Sequence, residues 1–536
     1  MAKHGMICAP QPEAVEAGAL ALMNGGNAID AAIACAFVQG VVDPLMCGIA
    51  GFGSCQVYMP ARGVHAFVDF HGRAPHRARP DMWQHLIEGE TREGFGFLLE
   101  GHVNDVGYQS ITTPGSLKAY HEVHSRFGAL PWRRVIEPAI AWAADGFAVS
   151  PDVYHYWMSV DPFGRVSVVD RLRFSTGSRA LYLDADGNPK PIGTLIRNPD
   201  YARTLERIAA EGADVFYTGG IARTIAADMA ANGALLDGDD LAAYRTTPAE
   251  PLVGTYRGHA LATDRPPGGG VMLLEMLDIL ENFDLAALGH NTPEMIRVVA
   301  EAMKVATADK DAHVGDPGFV DVPLDRLLDK GYARARAEDI RAGVKARVPR
   351  LTSAESPHTT HVSVIDRDGN AVSMTHSLGM MSGVVTDGLG FMYNGCMGVF
   401  DPRPGRAGSI APGKARFSSI CPTIVFRDGA PVLVIGAPGG TQIAMGVLQV
   451  ILNVIDFAMP IGEAVLAPRF SATSDAIDVT ARIPRFVSDR VATLGYEIVR
   501  SPLSYAIAGV HAIMIDGETL TGGADPAFGG GMALLV

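Results

Sequence analysis

Cysteine is scarce in this chain: six residues in 536, at positions 8, 35, 47, 55, 396 and 421, with no Cys-x-x-Cys pair among them. That excludes a disulfide scaffold, leaves a redox dithiol or a cysteine-built zinc site without a starting point, and predicts reduced thiols. Basic charge is short as well. Lys and Arg number 44 against 58 Asp and Glu, a net charge of −14, so the surface lacks what phosphate binding needs and no nucleic-acid partner is expected. No acidic run stands out either, and the excess charge reads as solubility. No apolar run reaches the roughly 20 residues of a membrane-spanning helix. The run Ala31 to Val42 is interrupted by Gln39 and Gly40, so no membrane segment is expected. Met1-Ala2-Lys3-His4-Gly5 lacks the apolar stretch and small-residue cleavage site of a secretory signal, which makes the cytoplasm the expected location. The patterns His-Glu-x-x-His and Gly-x-Ser-x-Gly are also missing. Metal-assisted hydrolysis and α/β-hydrolase chemistry therefore have no foothold, and neither a metal nor a cofactor is expected.

What is present describes a globular protein with a large core: 48% hydrophobic and 19% charged residues. At about 150 residues per domain the length alone suggests three or four domains. The segment Glu13 to Met23 is rich in Ala and Leu and closes at Asn24-Gly25-Gly26, and a second helix, apolar nearly all round, is predicted from Ala28 to Val41. Gln56 to Met59 and Val64 to Phe70 read as paired strands, with His71-Gly72-Arg73 in the loop beyond. From Pro114 to Ala260 the pattern is helical, with helices near 116–127, 132–145, 201–211 and 219–232. Arg334 to Arg350 reads as a basic, solvated helix. Strands are predicted at 390–393, 424–426 and 432–435, the last two joined by Asp428-Gly429, and a helix over 441–457.

Two glycine-rich stretches imitate phosphate loops. Arg265-Pro266-Pro267-Gly268-Gly269-Gly270 has neither of the spaced phosphate-binding patterns and reads as a turn. Gly408 to Lys414 fits Gly-x-x-x-x-Gly-Lys, but Ala415 stands where the Mg²⁺-holding hydroxyl belongs, and a Pro-rich loop replaces the entering strand.

The centre of the chain is Thr359-Thr360-His361 and the segment running on from it to Ser377. Val362, Val364, Val372 and Met374 alternate on either side of Asp366-Arg367-Asp368-Gly369-Asn370, so Thr359 opens one arm of a β-hairpin. By spacing alone it is a β-branched strand residue. The preceding stretch, Leu351 to His358, is short and polar and contains Pro357, as an exposed, cleavable linker would.

His358-Thr359-Thr360-His361 with the subsequent Asp-x-Asp-Gly-Asn-Ala-Val, Gly25 to Ala32, Ala300 to Lys304 with Gly315-Asp316-Pro317, Ser418-Ser419 and Pro438-Gly439-Gly440 are spread along nearly the whole chain. In their order and spacing they resemble the γ-glutamyltransferase family of N-terminal-nucleophile hydrolases. The resemblance implies an α+β fold, a single four-layer αββα sandwich. It would be made as one precursor and cut between His358 and Thr359 into a large chain, 1–358, and a small chain, 359–536. A Thr hydroxyl needs a base within hydrogen-bond reach. Cleavage before Thr359 would supply one, because the freed α-amine, with an unperturbed pKa near 8, belongs to the nucleophile itself. By the same resemblance Ser377 stands where a hydroxyl assists self-cleavage, Gly439 and Gly440 form the oxyanion segment, and Ser418 and Ser419 contact a substrate carboxylate.

The sequence departs from that pattern at the substrate clamps. His71 replaces an Arg that pairs with the α-carboxylate, and Arg73, two residues on, is the available substitute. Cys396 and Val399 replace a polar residue and an Asp that hold the α-amino group, and Gly379 replaces an Asn. A buried ammonium without a carboxylate would cost several kcal/mol. The expected function is hydrolysis of a small amide or acyl-amide, oxamate-like or glutaryl-like, through an acyl-enzyme on Thr359. A true glutathione hydrolase or transpeptidase and an unprocessed, non-catalytic binding protein are the alternatives. The expected partners are the small-molecule amide and the two chains of one precursor. Assembly into a homodimer of processed units stays open.

Overall fold

Alternation along the central hairpin decides how the layers stack. The computed structural model describes residues 3–90, 96–160, 164–348, 359–527 and 529–536; the linker predicted at 351–358, His358 included, lies outside them. The strand Thr360–Asp366 pairs antiparallel with Ala371–Ser377, placing Val362 opposite Met374 and Val364 opposite Val372. With a side-chain period of 2, those four apolar residues share one face, and all four belong to the apolar cluster built by the helix Ala28–Val42. The opposite face carries Thr359, His361 and Ser363 on one strand and Ser373, Thr375 and Ser377 on the other, and it meets a second sheet. Ser373 Oγ donates to the Ile435 carbonyl at 3.0 Å across that boundary.

The hairpin lies in the middle of a seven-stranded antiparallel sheet, ordered Met532–Leu535, Gly5–Ala9, Thr360–Asp366, Ala371–Ser377, Phe52–Met59, Val64–Asp69, Thr247–Ala249. The facing sheet has six strands, ordered Thr519–Ala524, His511–Asp516, Ala430–Gly436, Thr423–Arg427, His259–Thr263, Leu252–Tyr256. Asp428 and Gly429, at φ +53° and +80°, close its central hairpin with the two positive φ angles that favour Asp-Gly there. Helices Pro12–Met23, Ala28–Val42, Ser116–Phe127 and Trp132–Asp145 cover the outer face of the first sheet, and Gly270–Leu280, Pro293–His313 and Ile443–Ile455 that of the second. The result is a four-layer αββα arrangement. Ala28–Val42 is buried at every residue, as its all-round apolarity requires. Its first turn is closed by a reciprocal cap between Asn27 and Asp30.

Three expectations need correction. The second strand of the first sheet begins at Phe52, four residues before Gln56, because Phe52 to Cys55 continue the pairing with Met374 to Ser377. The basic helix runs over Lys330–Arg341 rather than 334–350. Asp329 caps its start by accepting from the Tyr332 N–H at 2.7 Å, and Gly343, at φ +78°, lies just past its end. The stretch from Pro114 to Ala260 is not helical throughout: Leu252–Tyr256 and His259–Thr263 are strands joined at Arg257-Gly258, both at positive φ. The six cysteines are free and buried. Among the described residues no helix is long and apolar enough to cross a membrane, and no cluster of three His, Cys, Asp or Glu could hold a metal ion.

Candidate active site

Thr359 sits one residue ahead of the central strand and shares the inter-sheet face with His361. Its Oγ1 donates to Ser377 Oγ at 3.1 Å, and the N–H of Gly379 donates to the same oxygen at 2.8 Å. The hydroxyl of Ser377 thus fixes Thr359 from across the hairpin, and Ser377 is itself in register with Phe52 on the next strand. Ser377→Ala would remove the acceptor of the buried Gly379 N–H, at a cost of about 1–3 kcal/mol. It is expected to slow the appearance of cleaved fragments at least about tenfold. A time course of fragment formation read beside the melting temperature checks this, and unchanged processing would reduce Ser377 to a structural hydroxyl.

The polar seam behind Thr359 holds its strand. His361 bonds Thr375 Oγ1 through Nδ1 at 2.8 Å and Ser363 Oγ through Nε2 at 2.9 Å. Burial, reinforced by the charges of His511 and His376, pushes its pKa well below the ordinary value. Burial alone takes His376 down to about 3. Both rings are therefore neutral packing groups. On the helix side, Gln39 Nε2 donates to Thr360 Oγ1 at 2.9 Å and to Gln11 Oε1 at 2.8 Å, and Gln11 Nε2 reaches Asp43 at 2.8 Å. These bonds lock the backbone on which Thr359 rides.

Gly436 brings the oxyanion candidate alongside. A Cβ there would lie 2.2 Å from His361 Cε1, so only glycine lets the end of the strand Ala430–Gly436 approach the central strand this closely. Gly436→Ala is expected to destabilise the fold by about 1–3 kcal/mol through overpacking. Chemical denaturation of the purified variant measures that loss. Three residues on come Gly439 and Gly440, at φ +140° and +55°, leading through Gly440–Gln442 into the helix Ile443–Ile455. A side chain at Gly439 would strike Ala508 Cα at 2.6 Å.

The remaining expected residues divide into two groups. His71 is buried, its Nδ1 2.6 Å from Asp69 Oδ1 and its Nε2 2.6 Å from Ser418 Oγ. Burial pushes the Asp69 carboxyl up, but the His71 charge and its ring and backbone hydrogen bonds outweigh that and hold it below the usual value. Cys396 is buried against Gly379: a Cβ on Gly379 would lie 2.8 Å from both Cys396 Sγ and Arg416 Nη1. Val399 is half-buried on the same short turn, Cys396–Val399. Ser419 is buried, its carbonyl covered by Gly269. The turn of Arg265 to Gly270 braces this pair, through Ser418 N–H to the Pro267 carbonyl at 3.0 Å and Gly269 N–H to the Ile420 carbonyl at 2.8 Å. Arg73 stands apart from these groups. Its backbone bridges Thr113 and Ala415, and its guanidinium turns to Thr247 Oγ1 at 3.0 Å and the Gly413 carbonyl at 3.3 Å. Lys414, from the false phosphate loop, points its Nζ at the carbonyls of Ala407 and Ser409. The residue that spacing does not reveal is Arg416, whose guanidinium lies in the Gly379 and Cys396 corner.

Two facing antiparallel sheets between helical layers define an N-terminal-nucleophile hydrolase fold, and likeness to known proteins narrows it. The sequence profile of the Gamma-glutamyltranspeptidase family matches residues 14–535, and the chain belongs to that family. It is 38% identical over 528 residues to the acylase ACY 1 proenzyme of Pseudomonas sp. (strain V22), covering 97% of this chain and 92% of that one. With the glutathione hydrolase proenzyme of Escherichia coli (strain K12) it shares 33% identity over 550 residues, covering 98% and 90%. Among solved structures, the cephalosporin acylase from Bacillus halodurans superposes with a TM-score of 0.87 at 28% identity, covering 99% of this chain and 96% of that one. The chain is accordingly an amide hydrolase or acyltransferase of this family.

Proposed function

We propose that the chain cuts itself before Thr359 into a large chain, 1–358, and a small chain, 359–536. The matured enzyme would then hydrolyse the amide of an acyl group that carries no free α-amine. The observation that carries this reading is the hydrogen bond that holds Thr359 Oγ1 on Ser377, at the head of the central strand. The freed α-amine of Thr359 takes the proton from Oγ1 as the oxygen attacks the amide carbon. Backbone N–H groups at Gly439 and Gly440 face the charge on the carbonyl oxygen, where one donor is worth about 3 kcal/mol. The amine then returns the proton to the leaving nitrogen, the C–N bond breaks, and an ester on Thr359 remains. Water, deprotonated by the same amine, releases the acid.

The named acylases among the relatives, and their proenzyme names, support both the processing and the acyl-amide substrate. Oxamate-like amides and glutaryl-like side chains are the acyl classes that need no ammonium clamp. The glutathione-hydrolase reading draws on the 33% identity to that proenzyme and stands against the loss of the clamp at Cys396 and Val399. The test is intact mass and N-terminal sequencing of the purified protein, followed by amine release from a panel of acyl-anilides. The expected result is two fragments, the smaller beginning at Thr359, and turnover of at least one amide. An uncut chain with amidase activity overturns the mechanism. An uncut chain without activity returns the protein to a binding role.

A further inference from the structure

The open end of the central hairpin, where Thr359 and Ser377 stand, borders a cavity of about 220 Å³ that no step of the proposed mechanism uses. Among its lining residues Asp43, Met46 and Tyr156 are buried, Tyr505 is half-buried, and Asp152 and His155 are exposed, so it is a pit with a closed floor and an open mouth. Three contacts tie it to the candidate site. Asp43 accepts from Gln11 Nε2 at 2.8 Å, and Gln11 Oε1 accepts from Thr360 Oγ1, on the residue after Thr359, at 3.2 Å. The N–H of Leu378, the residue after Ser377, donates to the Met46 carbonyl at 2.9 Å. Tyr505 lies three residues ahead of Ala508, which packs on Gly439. The next residue after Leu378 is Gly379, which faces Cys396. The pit and the Cys396 corner therefore flank the chain as it leaves the hairpin.

We propose that this pit receives the amine half of the amide and selects an organic cation there, an ammonium carried on an aromatic or apolar stem. The proposal rests on the amidase reading above. Its centre is Asp43, 7% exposed, whose carboxylate is bonded to the uncharged Gln11 amide. Burial raises the Asp43 carboxyl to about 6 against the bond from Gln11, and the charges of Asp152 and Glu13 push it the same way as burial. At neutral pH it is therefore ionised, and among the described residues no cation is paired with it. Two basic groups are near the mouth. His155 lines it, and Arg482 lies 4.2 Å over the Tyr505 ring with its donors turned to the Ser504 and Leu466 carbonyls. A buried carboxylate without a counter-charge, in a cavity with a second carboxylate at its mouth, favours a cation over a neutral or anionic guest. Tyr156, Tyr505 and Met46 supply flat and apolar surface for the stem. A cavity of about 150 Å³ holds benzene, so about 220 Å³ takes a ring with a short ammonium arm.

The experiment holds the acyl group constant, as glutaryl, and varies the amine: aniline, 4-(aminomethyl)aniline, which is cationic, and 4-aminobenzoate, which is anionic. Matured wild type is expected to use the cationic anilide about tenfold better than the plain one in kcat/KM, and about a hundredfold better than the anionic one. Asp43→Asn keeps an oxygen for the Gln11 amide but removes the charge. It is expected to lose about tenfold on the cationic anilide and less than about threefold on the plain one. Asp152→Lys, at an exposed position, reverses the charge at the mouth and is expected to remove the preference for the cation. If Asp43→Asn fails to mature, Asp152→Lys decides. Equal use of the three amines by wild type, a preference for the anionic one, or equal losses on all three in the variants overturns the proposal. Should wild type cleave none of them, the amidase reading fails on its own. Benzylamine then tests the pit alone: it should raise the melting temperature of wild type and not that of Asp152→Lys, and equal shifts or none would overturn the site.

Discussion

Thr359→Ala should purify as one uncut polypeptide with no measurable amide hydrolysis, a loss on the order of a millionfold in kcat if the nucleophile acts as such residues do elsewhere. The size of the effect comes from two roles falling on one residue. In the proposed mechanism the hydroxyl is the attacking group in self-cleavage and again in turnover, and the base for turnover exists only once the bond before it is cut. Thr359→Ser keeps an oxygen at the same place but loses the methyl that stiffens χ1. It should still be cut and still turn over, more slowly at both steps. Gel analysis and mass of the two variants, with amine release under saturating substrate, provide the check. An alanine variant that is still cut before residue 359 would place the self-cleavage nucleophile elsewhere, and Ser377, whose hydroxyl holds Thr359 Oγ1 at 3.1 Å, would be the first residue to replace.

How much of the fold and the site is legible in the sequence depends on which signals are local. The central hairpin is legible, because Val362, Val364, Val372 and Met374 obey a period of 2 and flank a turn sequence. So is the buried helix Ala28–Val42, whose apolar residues leave no polar face. The turn at Asp428-Gly429 announces itself by residue type. The strands Gly5–Ala9 and Met532–Leu535 do not, since five and four residues without alternation acquire their conformation only by pairing, Met6 with Leu535 and Ile7 with Leu534. A run of basic residues misplaces the helix near 334–350, because charge continues past the end that Gly343 sets and begins after the cap that Asp329 supplies. In the site, Thr359, Ser377, Gly379 and Cys396 are linked through the Ser377 hydroxyl and the Gly379 corner, and Arg73 lies apart from them. Arg73 suggests itself only by nearness in sequence to His71. Arg416 lies 345 positions from His71 along the chain and reaches the same ring, Phe52, through a loop whose course no local pattern encodes.

The substrate preference is the remaining large effect. In the reading proposed above, a γ-glutamyl group brings its ammonium to the position that Cys396 and Val399 line, where it meets a neutral thiol and a valine, with the Arg416 guanidinium 3.4 Å from the thiol. Two like charges about 6 Å apart repel by roughly 3 kcal/mol at an effective dielectric constant near 20. Losing the carboxylate partner of a buried ammonium costs several kcal/mol more before relaxation. Each 1.4 kcal/mol is about tenfold, so matured enzyme is expected to use glutaryl-anilide at least about a hundredfold better than γ-glutamyl-anilide in kcat/KM. The two differ only by the α-amine, so the ratio isolates the clamp from the anilide and the chain length. Val399→Asp should narrow the gap from the other side, since it returns a carboxylate to the turn Cys396–Val399 and gives the ammonium a partner. Its expected signature is a gain of about tenfold or more on γ-glutamyl-anilide with a loss on glutaryl-anilide. A wild-type enzyme that prefers the γ-glutamyl compound would mean that another group holds the ammonium, and glutathione hydrolysis would then be the function.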